Sequence, residues 1–234
     1  MIPLGSDVRA PAFPFVTYAL VAANVLVFIQ EFSVPNTDAF VNAYAAIPYD
    51  ISHGVVLAAP SPPIPALTLV TSMFVHAGLA HIFFNMLFLL VFGPDVEYAC
   101  GSIGYLAYYF ICGIVGGLTQ VVFDPNSHVP AIGASGAIAG VLGGYLLTYP
   151  TSSIRTIVPI GCFPLFLRLP ALLVIGVWAV VQFASGFGGL SSRVGSDPGG
   201  VAYFAHIGGF CCGVLTIGLF RNRNLEGGPG RPSA

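Results

Sequence analysis

The sequence has no lysine, and only 7% of its 234 residues are charged, against about 25% in an ordinary soluble domain. With no basic cluster and a formal net charge of −2, it offers nothing to a nucleic acid. The five cysteines, Cys100, Cys112, Cys162, Cys211 and Cys212, form no CxxC pair. All lie in or beside apolar runs, where a thiol behaves as a small hydrophobe, so a disulfide framework is not expected. HExxH is absent, and the histidines have no carboxylate beside them with metal-ligand spacing, so no metal is expected. What the chain has in abundance is apolar surface: 56% hydrophobic residues and a mean hydropathy of +0.88. A soluble fold of this size cannot hide that much. The fold class is therefore all-α, a polytopic membrane protein, with the lipid bilayer as its first partner.

Six apolar runs are separated by turn-rich polar stretches: Phe13–Ile29, Leu67–Phe92, Gly104–Phe123, Ala134–Thr148, Leu169–Phe187 and Val201–Phe220. They predict a six-transmembrane-helix bundle over residues 13–220, with a short cytoplasmic N-terminus (1–12) and a disordered cytoplasmic tail (221–234). The first run reads as a retained anchor, because a multi-span body follows it. Between the fourth and fifth runs, "IVPIGCFPLFL" is apolar but holds two prolines, and is expected to lie at the interface or re-enter. With six spans, Arg9, Arg155, Arg168, Arg221, Arg223 and Arg231 share one side, and Arg193 alone lies on the other. That asymmetry puts both termini in the cytoplasm, and the plasma membrane is the expected location.

Ionisable or strongly polar residues inside a bilayer are costly and are functional candidates. His81 and Asn85 stand at i, i+4 in the second run, on one helical face. Ser135 heads the fourth run, and His206 lies near the start of the sixth. Counted from the inner ends of their runs, Ser135 and His206 rise about 21 and 22 Å. In a hydrocarbon core about 30 Å thick, both sit about 8–9 Å below its outer boundary. His81 falls within about a turn of that level. The chemistry such a layer supports is acyl transfer, with a serine hydroxyl activated by a neutral histidine. No Asp or Glu is expected in the outer half of any span, so a Ser–His dyad is the most on offer. His81, Asn85 and the unsatisfied N–H of Ser135 are candidate oxyanion donors.

Each of these residues also has a plainer reading. Gly136, Gly140 and Gly144 repeat every four residues, as do Gly209 and Gly213, which is the signature of close helix packing, and Ser135 alone fits that pattern. A single histidine in a span serves a packed core or a pore as readily as catalysis. A transporter or channel is therefore an alternative, although paired intramembrane acids and an internal repeat are lacking.

Taken in order, "HIFFN" (His81–Asn85), "GASG" (Gly133–Gly136) and "AHIGGFCCG" (Ala205–Gly213) resemble the rhomboid family of intramembrane serine proteases. "FGPDVEYACGS" (Phe92–Ser102) resembles that family's loop after the second span. The resemblance implies a six-helix bundle with a water-filled cavity open to the outer side. It implies Ser135 as nucleophile and His206 as general base, with His81, Asn85 and Gly133 at the oxyanion. Glu97 becomes a structural carboxylate, and Gly136, Gly140, Gly209 and Gly213 become packing positions. The implied substrates are single-span transmembrane proteins, cut in or near the membrane, with no metal or organic cofactor. A catalytically inactive relative that binds or chaperones membrane helices is the alternative within the family. The chain departs from the pattern twice. The first loop, from Gln30 to Ala66, lacks the Trp-Arg pair of some members, and Ala139 stands where some carry a tyrosine that stacks on the histidine. Another group must then hold the His206 ring. A substrate is expected to approach sideways between the second and fifth spans, with "GFGGLSSRVGSDPGG" as a mobile lid.

Overall fold

The computed structural model describes residues 1–8, 11–55, 60–161, 163–191 and 201–222. Helices dominate: α1 (Phe15–Ser33), α2 (Thr37–Tyr44), α3 (Pro48–His53), α4 (Pro65–Phe74), α5 (Leu79–Cys100), α6 (Ser102–Phe123), α7 (Ser135–Thr148), α8 (Ala171–Ser191) and α9 (Tyr203–Phe220). Five of them, α1, α5, α6, α8 and α9, are long and apolar enough to cross a bilayer. With the 14-residue α7 they make the six expected membrane helices. Their outward faces carry exposed Leu26, Val180 and Leu219, the first and last 66% and 83% accessible. Such surface suits a protein integral to a membrane.

α7 is the buried centre of the bundle. From Gly136 to Tyr145 every residue is buried, packed between α6 and α9, with α5 on a further side. Glycine makes that contact possible. A methyl at Gly209 would meet the carbonyl of Gly136, and one at Gly213 the carbonyl of Gly140. The two helices thus run backbone against backbone, as small-xxx-small spacing allows.

The second span starts and ends later than expected. The Val75–Gly78 segment separates α4 from α5, so Leu67–Phe74 is not part of the spanning helix. At the other end, the Phe92–Ser102 stretch expected as a loop is largely helical: α5 continues through Pro94 to Cys100 and stops before Gly101 (φ 73°). Asp95 and Glu97 are buried there. Glu97 accepts from the backbone N–H of Val16 (2.9 Å) and Thr17 (2.8 Å), and from the hydroxyls of Thr17 and Ser102 (2.8 and 2.7 Å). It thereby supplies the cap that Pro14 cannot give α1.

Three strands add to the helices. β1 (Ile2–Ser6), β2 (Ser153–Ile160) and β3 (Phe163–Pro170) form an antiparallel sheet in the order β1-β2-β3. "IVPIGCFPLFL" therefore forms a β-hairpin and is not one of the membrane helices. Its prolines cost little. Pro159 lies beyond the reach of β1, and Pro164 is on the edge strand, facing it. Within the first twelve residues β1 pairs with β2, and the Ser6 hydroxyl bonds Tyr145 at 2.7 Å. Residues 223–234, expected to be disordered, lie outside the described residues. So do residues 192–200 of the expected lid, whose first part continues α8 as far as Ser191.

Candidate active site

The site is assembled from four helix segments. The chain reaches α7 through Gly133, whose N–H donates to the Ser72 carbonyl at 2.9 Å. Its φ of 109° suits glycine alone. A side chain there would also press on the His81 ring, 2.8 Å from the Cβ position. Two residues later Ser135 opens α7, in the turn whose N–H groups have no acceptor within the helix.

His206 stands in the first turn of α9. Its Nε2 lies 2.7 Å from Ser135 Oγ, and its Nδ1 lies 2.7 Å from Gln182 Oε1 on α8. A carboxamide oxygen only accepts, so Nδ1 carries the proton and Nε2 presents a lone pair to the serine hydroxyl. Trp178, one turn before Gln182, places its ring 6.1 Å from the imidazole. These two residues hold the histidine, while Ala139 is fully buried in α7.

His81 and Asn85 face the same space from the start of α5. The N–H of Ala77 donates to His81 Nδ1 at 3.3 Å, which leaves Nε2 as the protonated nitrogen. That donor lies beside Gly133. Asn85 gives one amide hydrogen to the His81 carbonyl (3.0 Å) and has another to spare. Behind His81, His76 packs edge-on at 5.1 Å and donates its backbone N–H to Glu31 at 3.1 Å. Burial, reinforced by His81, pushes His76 down to about 4, so it is neutral at physiological pH. Glu31 corrects the expectation of acid-free outer halves. It is buried in the last turn of α1, beyond the Ile29 boundary, but serves His76 rather than His206.

Ser135, His206, His81 and Asn85 all line one cavity of about 690 Å³. Its other walls are largely apolar, with Phe84, Phe88, Ile138, Leu142 and Trp178 prominent. A second space of about 200 Å³ continues it past Phe92 and Val174 toward Met1. The gap lies between α5 and α8, which barely touch. Glu97 is remote from the cavity, and Gly136, Gly140, Gly209 and Gly213 are at the α7–α9 seam.

Sequence reasoning did not single out Gln182. The signal was present, because it is the one amide side chain in the fifth apolar run. Like Asn85, it interrupts an apolar run with a polar group that is costly inside a bilayer.

The Rhomboid domain family matches residues 65–223. Rhomboid protease GluP of Bacillus subtilis is 44% identical over 78 residues, 33% of this chain and 15% of that protein. Rhomboid protein 1, mitochondrial, of Saccharomyces cerevisiae is 28% identical over 215 residues, 89% of this chain and 54% of that one. RHOMBOID-like protein 1 of Arabidopsis thaliana is 30% identical over 175 residues, covering 71% and 40%. The chain thus spans about half the length of these relatives or less. The matched region contains every residue of the cavity's polar set, and the chain belongs to the rhomboid family of intramembrane protease-like proteins.

Proposed function

We propose that the protein is an intramembrane serine endopeptidase acting on single-span membrane proteins within or near their transmembrane segment. The observation that carries this reading is the 2.7 Å contact between Ser135 Oγ and His206 Nε2 at an apolar cavity. Ser135 attacks the scissile carbonyl carbon as its proton passes to Nε2. The resulting oxyanion is held by His81 Nε2–H, the free amide hydrogen of Asn85 and first-turn N–H of α7. The C–N bond then breaks, and His206 returns the proton to the leaving amine. A water, deprotonated by His206, attacks the acyl ester and frees the serine.

The gap between α5 and α8 supports sideways approach of the substrate. Its helix must open first, because a helical carbonyl is engaged in the i, i+4 ladder. Substrates with Gly or Pro near the cut are therefore preferred. We further propose that residues 13–220 are the protease domain, in the plasma membrane with both termini cytoplasmic. The arginine distribution supports that sidedness.

The test is purified protein, a fluorophosphonate probe and a model single-span substrate. Wild type labels and cleaves, whereas Ser135→Ala and His206→Ala do neither. A Ser135→Ala variant that cleaves as well as wild type shows the reading to be wrong. Binding of the substrate helix without labelling or cleavage by wild type indicates a non-catalytic helix-binding member.

A further inference from the structure

We propose that Gln182 is a positioning residue for the general base, and that through it the orientation of His206 depends on where α8 sits. The inference rests on the protease reading above. The Gln182 carboxamide oxygen accepts from His206 Nδ1–H at 2.7 Å. That bond selects the one tautomer in which Nε2 is free to take the serine proton, and it fixes the rotation of the ring. Ala139, where some members of the family carry a tyrosine that stacks on the histidine, offers only a methyl group, fully buried in the bundle. The histidine is thus oriented from α8, by Gln182 and by Trp178 one turn earlier on the same face.

The placement matters because α8 is loosely held. It packs mainly on α9, slightly on α7 and, at its start, on β2 and β3, and barely on α5, and much of its surface is exposed apolar side chain. It is also one wall of the gap through which a substrate helix would approach. An outward displacement of α8 that widens the gap stretches the Gln182–His206 bond. His206 is then free to rotate or change tautomer until α8 returns. Admission of substrate and readiness of the base are therefore coupled through one hydrogen bond.

Two variants separate this role from packing. Gln182→Leu keeps the volume and removes the acceptor, whereas Gln182→Glu keeps an acceptor at the same reach. Purified full-length protein is assayed with the fluorophosphonate probe and the model single-span substrate. The expected result is a fall of about 10- to 100-fold in labelling rate and kcat for Gln182→Leu, the scale of loss when the hydrogen-bond partner that orients a metal-bound histidine is removed. KM stays unchanged, and Gln182→Glu retains most of the rate. Wild-type rates in Gln182→Leu, or equal losses in both variants, overturn the proposal.

A measurement on the wild type covers the case in which a variant fails to fold. Nitrogen-15 NMR of histidine-labelled protein is expected to show His206 protonated at Nδ1 and bare at Nε2, assigned by loss of the signal in His206→Gln. The opposite tautomer overturns the proposal. This readout does not depend on activity. If Ser135→Ala proves active the protease reading fails, and if only the tautomer or the Gln182→Leu result is wrong this inference fails alone.

Discussion

Single hydrogen bonds decide which protons the site offers. Ala77 N–H occupies His81 Nδ1, and the His81 carbonyl occupies one amide hydrogen of Asn85. Each side chain therefore has one donor left, near Gly133 and Ser135. If these donors serve the oxyanion, His81→Ala and Asn85→Ala each lower kcat by about 10²–10³ and change KM little. Stopped assays with the model substrate measure this, and a rise in KM at constant kcat would mark them as substrate-binding groups instead. Together they should cost less than the product of the single losses, because donors to one oxygen act as a unit. Ser135, His206, His81 and Asn85 were readable because each interrupts an apolar run at a countable depth. Glu31 was not, since the run was ended at Ile29 and the helix extends to Ser33. Gln182 was visible in the same way as Asn85, but only the fold reveals that its oxygen meets an imidazole 24 positions away.

Helix pairing brings those residues within bonding distance. Ser135 and His206 are joined only because α7 and α9 touch at Gly136, Gly140, Gly209 and Gly213. A methyl at 209 would strike the Gly136 carbonyl, and backbone cannot yield as a flexible side chain does. Gly209→Ala is expected to destabilise by about 1–3 kcal/mol through overpacking, and to lower fluorophosphonate labelling by moving His206 off Ser135. Gly176→Ala on α8 is the control, because nothing lies within 4 Å of the added carbon. It should leave labelling intact and raise the melting temperature slightly through helix propensity. Equal behaviour of the two variants would mean that the α7–α9 approach does not hold the dyad. Helices were legible at this scale because length and hydropathy suffice to find them. The β2–β3 hairpin was not, because its prolines and continuous apolar character mask a period of two. The pairing of β2 with β1 joins segments 150 residues apart, which no local pattern records.

At the scale of the whole molecule, the N-terminal strand and the end of α9 lie at one face of the bundle. β1 pairs with β2, which follows the inner end of α7, and Tyr149 reaches the Asp95 carbonyl near the end of α5. Asn222, beyond α9, donates its N–H to the Ala99 carbonyl at that same end. The opposite face carries the Ala46–Ala131 bridge and Tyr49 stacked on His128, and the cavity's polar set lies toward it. An even number of spans requires this arrangement, and under the proposed topology the first face, which holds Arg155, Arg168 and Arg221, is the cytoplasmic one. Single reporter cysteines, placed in a background lacking the five native ones, test the assignment in intact cells. A reporter at Gly161, in the exposed hairpin turn, should react with a membrane-impermeant maleimide only after lysis. A reporter at Ser127, before α7, should react without it. Labelling of both from the outside would contradict the placement of the hairpin and Ser127 on opposite faces. Exchange of the two results would keep the fold but turn it over, and Ser135 would then open toward the cytoplasm.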